Sequence, residues 1–116
     1  MRRKKYIISA QVDCEGSEYV IHYLGDNIKA IKDRLQFVKD KYIDTYFISN
    51  GLDEADISLR FYGKPIEELE HGDVYTIVMT DDNWCWITVD VTCLEQYHFK
   101  SNQYETTYHD LFRGKY

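Results

Sequence analysis

Apolar and polar positions alternate from the start of the chain. Tyr6, Ile8, Ala10 and Val12 interleave with Ile7, Ser9 and Gln11, the period-two pattern of a half-buried strand. Glu15-Gly16-Ser17 supplies turn chemistry, and Tyr19-Val20-Ile21-His22-Tyr23-Leu24 is a second β-rich run. The two segments predict an antiparallel hairpin. The period then changes. After the break at Gly25-Asp26-Asn27, Ile28, Ile31, Leu35, Val38 and Tyr42 recur at intervals of three and four. That is one stripe of an amphipathic helix, with Asn27 as its N-cap. The opposite stripe is Lys29, Lys32, Asp33, Gln36, Lys39 and Asp40. The helix is predicted over 27–43, long enough to cross a sheet.

Alternation returns beyond the Asn50-Gly51 break and the acidic loop at Asp53–Asp56. Ile57, Leu59 and Phe61 predict a third strand, and Val74–Met79 a fourth. Trp84 to about Phe99 reads as a long fifth strand after the Asp81-Asp82-Asn83 turn. One face of this strand is Cys85, Ile87, Val89, Val91 and Cys93, a core face. The other is Trp84, Trp86, Thr88, Asp90 and Thr92, on which two large aromatics share a mixed polar surface. The expectation is an α+β domain over 1–116, with a core at about 5–99 and a polar, tyrosine-bearing tail at about 100–116. In it, one long helix packs on a mixed sheet of about five strands in the order ββαβββ. For the tail, an edge strand and a short helix near Asp110-Leu111-Phe112 both fit the pattern, and Tyr104, Tyr108 or Phe112 could cover the two tryptophans.

The stretch Leu59-Arg60-Phe61-Tyr62-Gly63-Lys64-Pro65-Ile66, continued by Leu69, His71-Gly72-Asp73 and Val74–Val78, resembles the second half of ubiquitin-like, sulfur-carrier and TGS domains. With the preceding hairpin and helix, the resemblance covers residues 5–80 and implies a β-grasp-like arrangement. Function does not transfer with it. Modifiers and carriers of that kind end in Gly-Gly, whereas this chain ends Arg113-Gly114-Lys115-Tyr116 and runs on well past the fourth strand. Fold likeness alone does not assign an activity.

Charge sharpens the picture. The chain of 116 residues carries a formal charge of −6, unevenly spread. Residues 1–52 hold nine Lys/Arg against seven Asp/Glu, residues 53–95 hold two against eleven, and residues 96–116 hold three against two. An acidic middle repels phosphate, so direct nucleic-acid binding is not expected. It attracts a basic protein surface and steers encounter with it. The basic start, Met1–Lys5, is followed by a run too short and too polar for a signal peptide. No stretch reaches the ~20 apolar residues of a membrane helix. Cys14, Cys85 and Cys93 have no framework spacing. Cys85 and Cys93, eight residues apart on one strand, stand roughly 26 Å from each other and cannot be joined. All three read as small buried thiols, which with the missing leader places the chain in the cytoplasm.

Catalytic constellations are missing from the pattern. The four histidines are scattered, no His/Cys spacing suits a metal, and no glycine-rich loop cradles a phosphate. The expectation is a protein that is not an enzyme and uses no cofactor. Eleven tyrosines and two tryptophans favour a binding surface, because such rings bring contact area at little entropic cost. The first reading is a stoichiometric inhibitor that occupies a basic surface of a nucleic-acid enzyme, such as a nuclease, or of a toxin. Phage anti-defence proteins of the anti-CRISPR type and toxin-immunity proteins are similar in size, acidity and tyrosine content. Its candidate contacts are Asp53, Glu54, Glu67, Glu68, Glu70, Asp81, Asp82, Trp84 and Trp86. The alternative is an adaptor that binds through its sheet face or an edge strand. A homodimer formed through either surface would hide that patch.

Overall fold

The computed structural model describes residues 3–96 and 106–107. Two long strands, β1 (Arg3–Cys14) and β2 (Ser17–Gly25), form the hairpin. Helix α1 (Ile28–Tyr46) follows, capped by the Asn27 side chain, which accepts from the Ala30 N–H at 3.1 Å. The chain re-enters the sheet as β3 (Ser58–Tyr62), β4 (Val74–Thr80) and β5 (Cys85–Gln96). A two-residue strand, β6 (Thr106–Thr107), pairs with the outer side of β2. The α+β class, the long helix and the five main strands agree with the alternation in the sequence. A helix near residue 110 and cover of the tryptophans by the tail fall outside the described residues.

The sheet order is β3-β4-β5-β1-β2-β6, and every pairing is antiparallel. The expected mixed sheet is corrected here, and the reason is one of parity. From the end of β2, α1 carries the chain back along the sheet, so β3 starts at the same end as β2 and runs the same way. Each hairpin then reverses direction. The second strand after the helix, set beside β1, would lie parallel to it. Here it is the third, β5, that takes this place and pairs along the whole of β1, from Arg3↔Gln96 to Cys14↔Cys85.

The core lies between α1 and one face of the sheet. Ile31, Leu35, Val38 and Tyr42 of the helix stripe are buried against Tyr6, Ile8, Ala10 and Val12 of β1 and the predicted core face of β5. Cys85, Ile87, Val89, Val91 and Cys93 are all fully enclosed. Phe47, Ile66, Leu69, Ile77 and Met79 complete the cluster. At ~1.5–3 kcal/mol for each large apolar side chain removed from water, this interface is the main stabilising term.

One cysteine expectation fails. Cys14 and Cys85 face each other at the last position of the β1–β5 ladder and form a disulfide, with Cα atoms 4.4 Å apart. That spacing is the one found at a non-hydrogen-bonded antiparallel pair. Consistently, the N–H of Cys14 donates to the Gly16 carbonyl and that of Cys85 to the Asp81 carboxylate. Only Cys93 is a free buried thiol among the described cysteines, so free thiols throughout no longer argue for a reducing compartment. No helix is long and apolar enough to cross a membrane among the described residues.

Candidate functional site

The antiparallel arrangement gathers chain reversals at two ends of the molecule. One end holds the β1–β2 turn, the last turn of α1, the loop into β3 and the β4–β5 turn. Asp13, Glu15 and Glu18 lie at the first, Asp44 at the second, Asp53, Glu54 and Asp56 at the third, and Asp81 and Asp82 at the fourth. All except Asp81 are exposed. Segments 13–18, 44–58 and 80–86 contain no Lys or Arg. The end is therefore a continuous acidic pole.

Folding does not require this arrangement. The C-terminus of α1 points its negative dipole end at the same pole, yet its last turn carries Asp44 and no base. Carboxylates beside a helix C-terminus are unfavourable, as are like charges held together. Several members are nevertheless engaged locally. The Asp81 carboxylate accepts from the backbone N–H groups of Asn83, Trp84 and Cys85 at 3.1, 2.8 and 3.0 Å. Those bonds, led by Cys85 and Trp84, hold its carboxyl below the usual carboxylate range. Asp82, at φ 62°, accepts from Ser58 Oγ at 3.3 Å and has Arg60 at 3.8 Å. Glu18 accepts from Tyr46 Oη at 3.2 Å, and Asp53 and Asp56 form a capping box in which the Asp56 carboxylate takes the Asp53 N–H, while Asp13, Glu15, Asp44 and Glu54 are exposed.

The opposite end is a patchwork of paired charges. Lys5 pairs with Asp26, Lys29 with Asp33, Lys32 with Glu67 and Lys64 with Asp73. The Lys32 contact holds the Glu67 carboxyl low, and the Glu70 backbone N–H together with Lys64 does the same for Asp73. The nine predicted contact residues thus do not form one surface. Asp53, Glu54, Asp81, Asp82, Trp84 and Trp86 come together at the acidic pole. Glu67, Glu68 and Glu70 lie at the far end of β4, roughly 20 Å away by the rise of its seven residues, among lysines. Asp13, Glu15, Glu18, Asp44 and Asp56 were missed, because they are distant in sequence and joined only by the topology. Their common signal is a position at an element terminus.

The two tryptophans also separate. Trp84 sits in the turn before β5 and packs partly buried against the core. Trp86 lies on the sheet face away from the helix, between Asp13 of β1 and Thr80 of β4, and is 46% exposed. An exposed indole beside a rim of carboxylates is thus built into the pole. The disulfide closes the same end, tying the β1–β2 turn to the start of β5.

Elsewhere, His22 is buried against Tyr42, and His71 Nδ1 accepts from the Glu95 N–H. Burial pushes the Cys93 thiol up, away from the reactive thiolate. No group of three or more His, Cys, Asp or Glu side chains is placed to hold a metal among the described residues. No family model, no curated protein and no solved structure matches the chain.

Proposed function

We propose that this chain is a stoichiometric protein-binding module that docks its acidic pole, with Trp86 as aromatic anchor, onto a basic surface of a protein partner. The observation that carries the reading is the convergence of carboxylates from four separate chain reversals around one exposed tryptophan. That convergence works against the stability of the fold and suits complementarity with Lys and Arg. Charge-assisted pairs of this kind set on-rate and specificity, while burial of the indole supplies affinity. A positively charged groove that a nuclease or toxin uses to hold nucleic acid has the matching chemistry. An inhibitor filling it would mimic phosphate with carboxylate and would not itself bind nucleic acid.

The test is retention of partners by the immobilised chain at low and high salt, with wild type beside Trp86→Ala and an Asp53→Lys/Glu54→Lys double variant. A basic protein is expected to be retained by the wild type, released by salt, and lost by both variants. Its activity on nucleic acid should fall to zero at one equivalent of this chain. Equal retention by the charge-reversed variant would refute the reading.

A further inference from the structure

We propose that the free edge of β3, with the trough between β3 and α1, binds an extended segment of a partner protein, apolar at alternate positions and bearing a carboxylate for Lys39. This surface meets the acidic pole only at Glu54, and the proposal stands independently of the reading above.

Among the described residues β3 is terminal in the sheet order and pairs only with β4. Its outer backbone row has no partner among the described residues. Such an edge is a template for another strand, and proteins normally blunt it with Lys, Pro, a bulge or a cover. Among the described residues β3 has none of these. Its one charge, Arg60, sits on the sheet face away from the helix, near Asp82. Its side chains are unusually apolar for an edge. Leu59 and Phe61 face the helix side and are 38% and 55% exposed, and Tyr62 on the other face is 52% exposed.

The helix leaves room beside this edge. α1 packs chiefly over β1, β2 and β5, so a trough of about 400 Å³ opens between it and β3, with Leu35, Ile66, Tyr75 and Ile77 among its lining and Phe61 as its outer wall. A second cleft of about 320 Å³ lies further along α1, between Ile43 and Leu59. Lys39 borders both. A strand added to β3 would place alternate side chains into these two hollows while its backbone bonds the open edge.

Charge selects the occupant. Lys29, Lys32 and Lys64 each have a carboxylate partner. Lys39 is half-buried and has no ion pair among the described residues. Asp40 and Glu54 line the smaller cleft, so an incoming carboxylate would meet Lys39 from the larger trough, where Glu67 is already held by Lys32. A second copy of the chain fits poorly. Two-fold antiparallel pairing of β3 about its central residue sets Arg60 against Arg60, and like charges directly opposite are destabilising. Each copy also carries −6.

The test is panning of the full chain with a displayed library of random dodecapeptides, followed by hydrogen exchange on the complex with the best synthetic peptide. The expected winners alternate apolar residues and carry Asp or Glu, and their binding slows amide exchange in residues 58–62. Lys39→Glu, an exchange on the helix surface, should weaken binding by about tenfold or more, the usual worth of one charge-assisted bond. Phe61→Ser should weaken it as well, with unchanged circular dichroism in both variants. The proposal is overturned if no peptide is enriched, if the winners are basic and protect the acidic pole, or if the chain sediments as a dimer that Phe61→Ser dissociates. Loss of binding at the pole through Trp86→Ala would leave this site intact, so the two readings fail separately.

Discussion

His22 and Tyr42 are joined by a buried hydrogen bond of 2.5 Å between Nε2 and Oη, which ties the irregular centre of β2 to the helix. Ile8 pairs with Tyr23 and Ser9 with Ile21, so His22 is the extra residue of a bulge. Burial, followed by Lys41 and Arg34, lowers its pKa to about 4, while burial raises that of Tyr42. The imidazole is therefore neutral in the folded state where an unfolded histidine, titrating near 6.5, has already charged. The unfolded state binds the extra proton between these two values, so stability is full above pH 6.5 and declines as pH falls towards 4. The loss should reach at most about 3 kcal/mol. Urea midpoints measured across that window are expected to fall for the wild type and to stay nearly flat for His22→Gln. Parallel declines in both proteins would remove His22 as the cause.

The Cys14–Cys85 bond joins positions 71 residues apart. Closing a loop of that length in the unfolded chain is worth about 4 kcal/mol on the chain-entropy account, and the typical stabilisation by a disulfide is about 2–4 kcal/mol. Reduction with dithiothreitol, or a Cys14→Ser/Cys85→Ser double variant, should thus lower unfolding free energy by about 2–4 kcal/mol. Free-thiol titration under denaturing, non-reducing conditions should count one thiol, that of Cys93. Three thiols would mean that the pair is open in solution.

Local pattern was a good guide to local structure and a poor one to what the topology brings together. Val89 and Val91 could be assigned to the core, and Leu35 and Val38 to a helix stripe, because each assignment needs only its neighbours in sequence. The disulfide needs β5 to lie beside β1, which depends on how many strands follow the helix. The same long-range fact decides the acidic surface. Residues 53–95 look like one acidic block, but β4 divides it, leaving Glu67 beside Lys32 and bringing Asp13 beside Trp86. Alternation also put Trp84 on the face of Trp86, whereas the strand begins only at Cys85 and the bonds to Asp81 turn the chain before it.

Asp81 is a structural residue of the pole more than a contact. With three backbone N–H groups on its carboxylate, it acts as the cap of the β4–β5 turn. Asp81→Ala should destabilise the fold by about 1–2 kcal/mol, as loss of a capping acceptor does elsewhere. Asp81→Asn, which keeps one acceptor oxygen, should restore part of this. The carboxyl titrates below its unfolded value, so its contribution is present above the unfolded pKa and vanishes as pH falls through the folded one. Thermal melts of the three proteins at pH 7 would decide it, and equal losses for Ala and Asn would count against the cap.

Lys5 poses the opposite problem, a buried charge whose partner is near the surface. Its ammonium lies 3.2 Å from Asp26, with side-chain exposures of 4% and 31%. Taking an ammonium out of water costs several kcal/mol, and a single carboxylate at the boundary offsets this only in part. Removing the acid therefore differs from removing the base. Asp26→Ala strands the ammonium and should cost about 2–4 kcal/mol, somewhat below a fully buried pair. Lys5→Met keeps the volume, drops the charge and leaves a carboxylate that water can reach, so it should lie within about 1 kcal/mol of wild type. The double variant should resemble Lys5→Met, because the harm done by Asp26→Ala exists only while the ammonium is present. A urea-denaturation cycle measures all three. If Asp26→Ala costs no more than Lys5→Met, the pair is surface-like and Lys5 finds its solvation without Asp26.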